Sequence, residues 1–178
     1  TETICLISNE KAVKIGTRYI DTDLNRAFNR QDLQNPQLTN YEQLLAKKIA
    51  RRIEEEKIDL IIDLHSTTAN MGLTVILHDN HPDLLKLAGY LTQVDSKVRI
   101  LQHTLNQESS YLINSAEFGI TIEVGAVANG LLDAKLFQET EKLIYAILDY
   151  LEADKKGQPL SVPLKFTYYS AIGTVDYP

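Results

Sequence analysis

The chain has 178 residues, 44% hydrophobic and 24% charged, an ordinary balance for one soluble globular domain with a sizeable core. Its net charge of −6 argues against nucleic acid as a general partner but allows one local basic pocket. Cys5 is the single cysteine, so no internal disulfide can form, and a reducing cytoplasm is the simplest setting. No apolar run reaches the length of a membrane span, and no signal peptide is visible.

The first residue is Thr1 rather than Met, and the last four, VDYP, carry no cap or polar tail, so a central piece of a longer protein is expected. Residues 2–8 (ETICLIS) predict a short strand, with Cys5 as an inert buried thiol. Residues 17–28 follow, TRYIDTDLNRAF, whose apolar positions are too few and too irregular for a strand or helix period. A loop is therefore expected. Arg18 and Arg26 offer planar donor forks that match carboxylates, and Asn25 adds an amide donor. Asp21 and Asp23 suit a supporting role, holding the arginines before a ligand arrives. The stretch reads either as a carboxylate clamp or as a solvated surface loop with local ion pairs.

Residues 29–40 are polar and carry Pro36, a surface connection. Thr39 and Glu42 have capping-box spacing, and Tyr41, Leu44, Leu45, Ile49 and Ile53 recur as one face of a helix ending near Lys57. The run IDLIIDL (58–64) predicts a buried central strand with His65 at its carboxyl end, and LTVILH (73–78) predicts another. Pro82 opens a helix through about Leu91, and strands are expected over 98–102 and 119–124 (GITIEV). Asp133 caps a long amphipathic helix with Leu136, Phe137, Leu143, Ile144, Ile147, Leu148 and Leu151 inward. From 158 the chain is expected to leave the sheet. Residues 1–157 thus read as the central part of an α/β domain, and 158–178 as an extended linker towards a further C-terminal domain.

Alternating strands and helices imply a three-layer α/β sandwich with a mixed, largely parallel central sheet. Ligands in such sheets sit beyond the carboxyl ends of the strands, so His65, Glu123 and the arginine loop are expected to converge. His65 reads as a metal ligand or base, or as a hydrogen-bonded strand-end histidine; strand alternation puts Asp63 on its side, suited to orient it. Glu123, between Ile122 and Val124, loses solvation, which raises a carboxyl pKa towards acid–base use; the other reading pairs it with an arginine. Tyr111 reads as an anion donor or as packing, and His78, His81 and His103 as structural or surface residues. An anion clamp, a histidine and a buried glutamate suit metal-assisted hydrolysis of an amide bearing carboxylates. One histidine falls short of a zinc site's usual three protein ligands, and no H-x-x-E, H-E-x-x-H or CxxC pattern is present.

The segments TRYIDTDLNRAF, IIDLHSTTANMG, GITIEVGAVANGLL and VDYP, in this order, resemble the aspartoacylase and succinylglutamate desuccinylase family over nearly the whole chain. STTANMG and VDYP lean towards its aspartoacylase branch. The resemblance implies a zinc-carboxypeptidase-like fold and hydrolysis of N-acyl amino acids, by implication N-acetyl-L-aspartate. It implies one zinc ion per subunit, held by His65 and by two further ligands from an H-x-x-E motif upstream of Thr1. A C-terminal β-rich domain is implied after Pro178. Arg18, Asn25 and Arg26 match the family's substrate-binding residues, Glu123 its catalytic glutamate, and Arg18 would stabilise the oxyanion. The family's further arginine for the side-chain carboxylate has no counterpart in 109–118 (SSYLINSAEF), which leaves the amino acid open. A small-molecule substrate is the implied partner, with no nucleic acid or membrane; self-association is left open. The rival readings are a desuccinylase-type or carboxypeptidase-like hydrolase, or a non-catalytic anion-binding module.

Overall fold

A computed structural model describes residues 2–103, 109–128, 130–158 and 160–173. Its helices are α1 (Glu10–Ile15), α2 (Arg30–Gln34), α3 (Tyr41–Glu55), α4 (Pro82–Val94) and α5 (Ala134–Lys155). Its strands are β1 (Leu60–Ser66), β2 (Gly72–Leu77), β3 (Val98–Gln102), β4 (Phe118–Gly125) and β5 (Tyr169–Ser170). They form one sheet in the order β1-β4-β2-β3-β5. β2 pairs in parallel with β3, from Leu73 opposite Val98 to Leu77 opposite Gln102, and β3 pairs in parallel with β5. The α/β architecture with a mostly parallel sheet agrees with the sequence. No described helix is long and apolar enough to cross a membrane.

The chain divides into two compact units. The first takes Glu2–Asp63 and the described residues of 105–120. Its core joins the arginine segment to α3: Leu24, Ala27 and Phe28 are buried with Ala46 and Ile49, and Leu33, Leu45, Ile53 and Leu112 pack around them. α3 begins one residue later than its sequence suggests. Asn40 and Gln43 form the capping box, not Thr39 and Glu42, because Glu42 is committed elsewhere. Leu44, expected inward, is exposed. The polar connection after Phe28 contains α2, capped by Asn29 on the Gln31 N–H.

Two further expectations fail in this unit. Residues 2–7 form no strand, and Cys5 is exposed rather than buried. A β-rich run becomes a strand only when a neighbouring strand satisfies its backbone, and none does so here among the described residues. α1, which follows, is a single short helix with Asn9 accepting the Ala12 N–H and Gly16 closing it in the left-handed region.

The second unit takes the described residues of 64–104 and 121–178. α4 packs on β3, α5 packs on β2, and the two helices meet each other, with Tyr90 and Tyr150 in ring contact at 5.2 Å. Leu87, Leu91, Ile100, Ile122, Leu143 and Ile147 fill this core. Phe137, expected inward, is 68% exposed because it stands on the outer side of the first turn of α5. Pro82 occupies the first turn of α4, and Asp133 caps α5 through the Leu136 N–H, both as the sequence indicates. The stretch expected to leave the sheet at 158 returns to it. Val162 and Phe166 lie against Gly89 of α4, and Tyr169–Ser170 adds β5 beside β3.

Candidate active site

In the first unit the arginine loop is held by its own carboxylates and by α3. Arg18 donates from Nε and Nη2 to Asp23 Oδ2, at 3.0 and 2.7 Å. Asp23 Oδ1 also accepts the Asn25 N–H at 3.0 Å, starting a 3-10 turn over Leu24–Arg26. Asp23 therefore does what the sequence suggested, presenting a preformed guanidinium whose side chain remains 67% exposed. Asp21 does something else. Its Oδ2 accepts the Tyr41 N–H at 2.9 Å, docking the loop on the start of α3.

Asn25 and Arg26 face two different supports. Asn25 Nδ2 donates to Asp63 Oδ2 at 3.2 Å, and Asn25 Oδ1 accepts the Leu112 N–H at 2.9 Å. Its amide orientation is thus fixed from both sides. Arg26 Nη1 donates to its neighbour's carbonyl, Asn25 O, at 2.8 Å, while its guanidinium lies 4.6 Å from the centre of the Tyr111 ring. Tyr111 is brought there by the Phe28 N–H, which donates to Ser110 O at 3.1 Å, and by a 3-10 turn over Leu112–Ser115.

The residue that sequence reasoning missed is Glu42. It is fully buried, and its carboxylate accepts four hydrogen bonds. Oε1 takes Asn9 Nδ2 at 2.9 Å and the Ile20 N–H at 2.6 Å; Oε2 takes the N–H groups of Asp21 and Thr22 at 2.9 and 3.1 Å. Burial alone would raise its pKa, but the donors from Ile20, Asp21, Asn9 and Thr22 outweigh it and bring the carboxyl from 4.5 down to about 2. A signal was present in the sequence. Glu42, Ala46, Ile49 and Ile53 form one helical stripe, and a carboxylate in an otherwise apolar stripe needs donors from elsewhere.

In the second unit His65 and Glu123 lie near the carboxyl ends of β1 and β4, which are neighbours in the sheet, and both are half-buried. The Phe118 N–H donates to Asp59 O near the start of both strands, and the Thr67 N–H donates to Val124 O near the end of both, each at 2.9 Å. Start meets start and end meets end, so the strands are parallel, and the register that carries both bonds sets His65 opposite Glu123. The chain after His65 is pinned there. The Val127 N–H donates to Thr67 O at 2.9 Å, and a Cβ on Gly125 would collide with the Thr67 and Ala69 carbonyl oxygens. Only glycine lets these two strand ends close.

The other histidines take ordinary structural places. His81 Nδ1 caps α4 on the Asp83 N–H at 3.3 Å, His78 Nε2 shares a 2.9 Å hydrogen bond with Thr121 Oγ1, and His103 is exposed. Among the described residues, no three of His, Cys, Asp and Glu are grouped closely enough to hold a metal ion together. VDYP lies outside the described residues.

Residues 1–151 match the model of the succinylglutamate desuccinylase/aspartoacylase catalytic domain. A probable aspartoacylase from a Nostoc species is 46% identical, over 99% of this chain and 61% of its own length. The aspartoacylase of Mus musculus is 32% identical, over 97% of this chain and 58% of its own. The crystal structure of murine aminoacylase 3 aligns with a TM-score of 0.87 at 27% identity, covering 97% of this chain and 60% of that one. The succinylglutamate desuccinylase of Chromobacterium violaceum, at 20% identity and a TM-score of 0.65, shares the fold over 83% of this chain and 52% of its own. The chain thus spans about 60% of the length of the relatives named first. It belongs to the succinylglutamate desuccinylase/aspartoacylase catalytic-domain family.

Proposed function

We propose that this chain is part of a zinc-dependent amidohydrolase that cleaves N-acyl amino acids, with N-acetyl-L-aspartate, giving acetate and L-aspartate, as its first substrate. The observation that carries the reading is the register that sets the His65 imidazole position opposite the Glu123 carboxylate at two parallel strand ends. A nitrogen donor beside a carboxylate base is the donor chemistry that metal-assisted amide hydrolysis uses. The fit to zinc is partial: His65 offers one ligand, and a metal held there takes its others from outside the described residues. Zinc, when bound, supplies Lewis acidity towards water and the acyl carbonyl.

The chain's own residues carry the remaining work. Glu123 accepts a proton from the attacking water and delivers one to the leaving amine. Arg18, held by Asp23, offers its charge to the oxyanion as the carbonyl becomes tetrahedral. Arg26, stacked on Tyr111, grips a substrate carboxylate, with Asn25 beside it in an amide orientation fixed by Asp63 and Leu112.

Residues 109–118 contain no arginine to meet a side-chain carboxylate, which leaves the amino acid open, and N-succinyl-glutamate is the family's other named substrate class. Hydrolysis of N-acetyl-L-aspartate and N-succinyl-L-glutamate by the full-length protein tests both. Faster turnover of the first supports the reading, faster turnover of the second moves it to desuccinylation, and hydrolysis of neither, with zinc present, overturns it.

A further inference from the structure

We infer that Glu42 is a positioning residue for the reaction: its buried carboxylate gathers the backbone N–H groups of Ile20, Asp21 and Thr22 and thereby sets the direction of Arg18. The inference rests on the oxyanion role proposed above for Arg18. Three consecutive N–H groups turned towards one anion form a concave backbone nest. Nests of this kind commonly receive an external anion, but here helix α3 supplies the anion from within the chain.

The geometry ties that nest to the arginine. Arg18 and Asp23 are joined by their ion pair, and the three residues clamped by Glu42 lie between them in sequence. The pair closes a small loop whose middle is pinned to α3. Apolar packing does not pin it: Tyr19 and Ile20 are 44% and 38% exposed. The remaining anchors are polar as well, Asp21 on the Tyr41 N–H and Asn40 Nδ2 on Thr22 Oγ1 at 3.4 Å. With the clamp gone, the Arg18–Asp23 pair survives as an exposed ion pair on a loose loop, and such pairs hold little by themselves.

The test is a double-mutant cycle on kcat in the full-length, zinc-loaded protein with Glu42→Gln and Arg18→Ala. Gln keeps the shape but turns one acceptor oxygen into a donor facing N–H groups. We expect Glu42→Gln to lower kcat by about tenfold or more and to change KM by less than about threefold, since a misaimed group loses transition-state contact. In the Arg18→Ala background the same substitution should cost less than about twofold, because residues acting through one another are not additive. Multiplicative losses, or a Glu42→Gln protein with normal kcat, overturn the inference. Arg18→Ala with unchanged kcat overturns the oxyanion role, and this inference with it. If Glu42→Gln does not fold, Asn9→Ala replaces it, removing one donor to the carboxylate and leaving Glu42 in place. A kcat loss of about two- to threefold that disappears in the Arg18→Ala background supports the inference, and an unchanged or independent effect overturns it.

Discussion

The Asn25 side-chain amide donates to Asp63 Oδ2 at 3.2 Å while its oxygen accepts the Leu112 N–H at 2.9 Å. One amide therefore ties the arginine loop to Asp63 and to the turn that follows Tyr111. Asn25→Ala leaves a partly buried carboxylate and a backbone N–H without this partner, a loss of roughly 1–3 kcal/mol. Urea unfolding should show that loss, and steady-state kinetics should show a raised KM, since Arg26 is the adjacent residue in the same turn.

Arg26 lies over the Tyr111 ring at 4.6 Å. Arg26→Lys replaces a bidentate fork with a point charge, so KM for N-acyl amino acids should rise by about tenfold or more. Tyr111→Leu removes only the ring face, and a partly exposed cation–π contact of about 0.5–1 kcal/mol predicts a rise of roughly two- to fivefold. If the two substitutions raised KM equally, recognition would lie with the tyrosine rather than with the guanidinium.

Glu42 makes a stability prediction of its own. Its folded pKa of about 2 lies below its ordinary 4.5, so the unfolded chain binds a proton more readily than the folded one. The stabilisation is fully present above about 4.5 and fades as the pH falls towards 2. Glu42→Gln should flatten this part of the stability–pH curve and, at neutral pH, cost roughly 2–4 kcal/mol, because four donors lose a charged acceptor. Thermal melts of both proteins between pH 2 and 7 measure it.

Gly125→Ala places a methyl group against the Thr67 and Ala69 carbonyl oxygens. Backbone has to move to admit it, which costs on the order of 1–3 kcal/mol and separates the strand ends that carry His65 and Glu123. Activity should fall further than stability, read as a loss of kcat in protein that still melts cooperatively.

Much of this arrangement was legible in the chain. His65 and Glu123 are polar residues closing apolar runs, so their places near the carboxyl ends of β1 and β4 could be read without coordinates. Pro82 and Asp133 likewise mark helix starts through local chemistry. What failed depended on tertiary partners. Residues 2–8 have strand composition but gain no neighbour among the described residues, while α1 is too short for a periodic signal. Glu42 matched a capping box by spacing, yet donors twenty or more residues away in sequence claimed it, and Asn40 took the cap. Asp21 and Asp23 look alike in sequence, and only the position of the start of α3 separates a helix anchor from an arginine holder.

Glu123 is the proton carrier on which the proposed hydrolysis depends. The most direct measurement is single-turnover hydrolysis of N-acetyl-L-aspartate by full-length protein carrying Glu123→Gln, with zinc content and substrate affinity determined on the same sample. We expect a loss of about a hundredfold or more in the chemical step, with substrate affinity changed little. Near-normal turnover in the zinc-loaded Glu123→Gln protein would contradict the proposed mechanism.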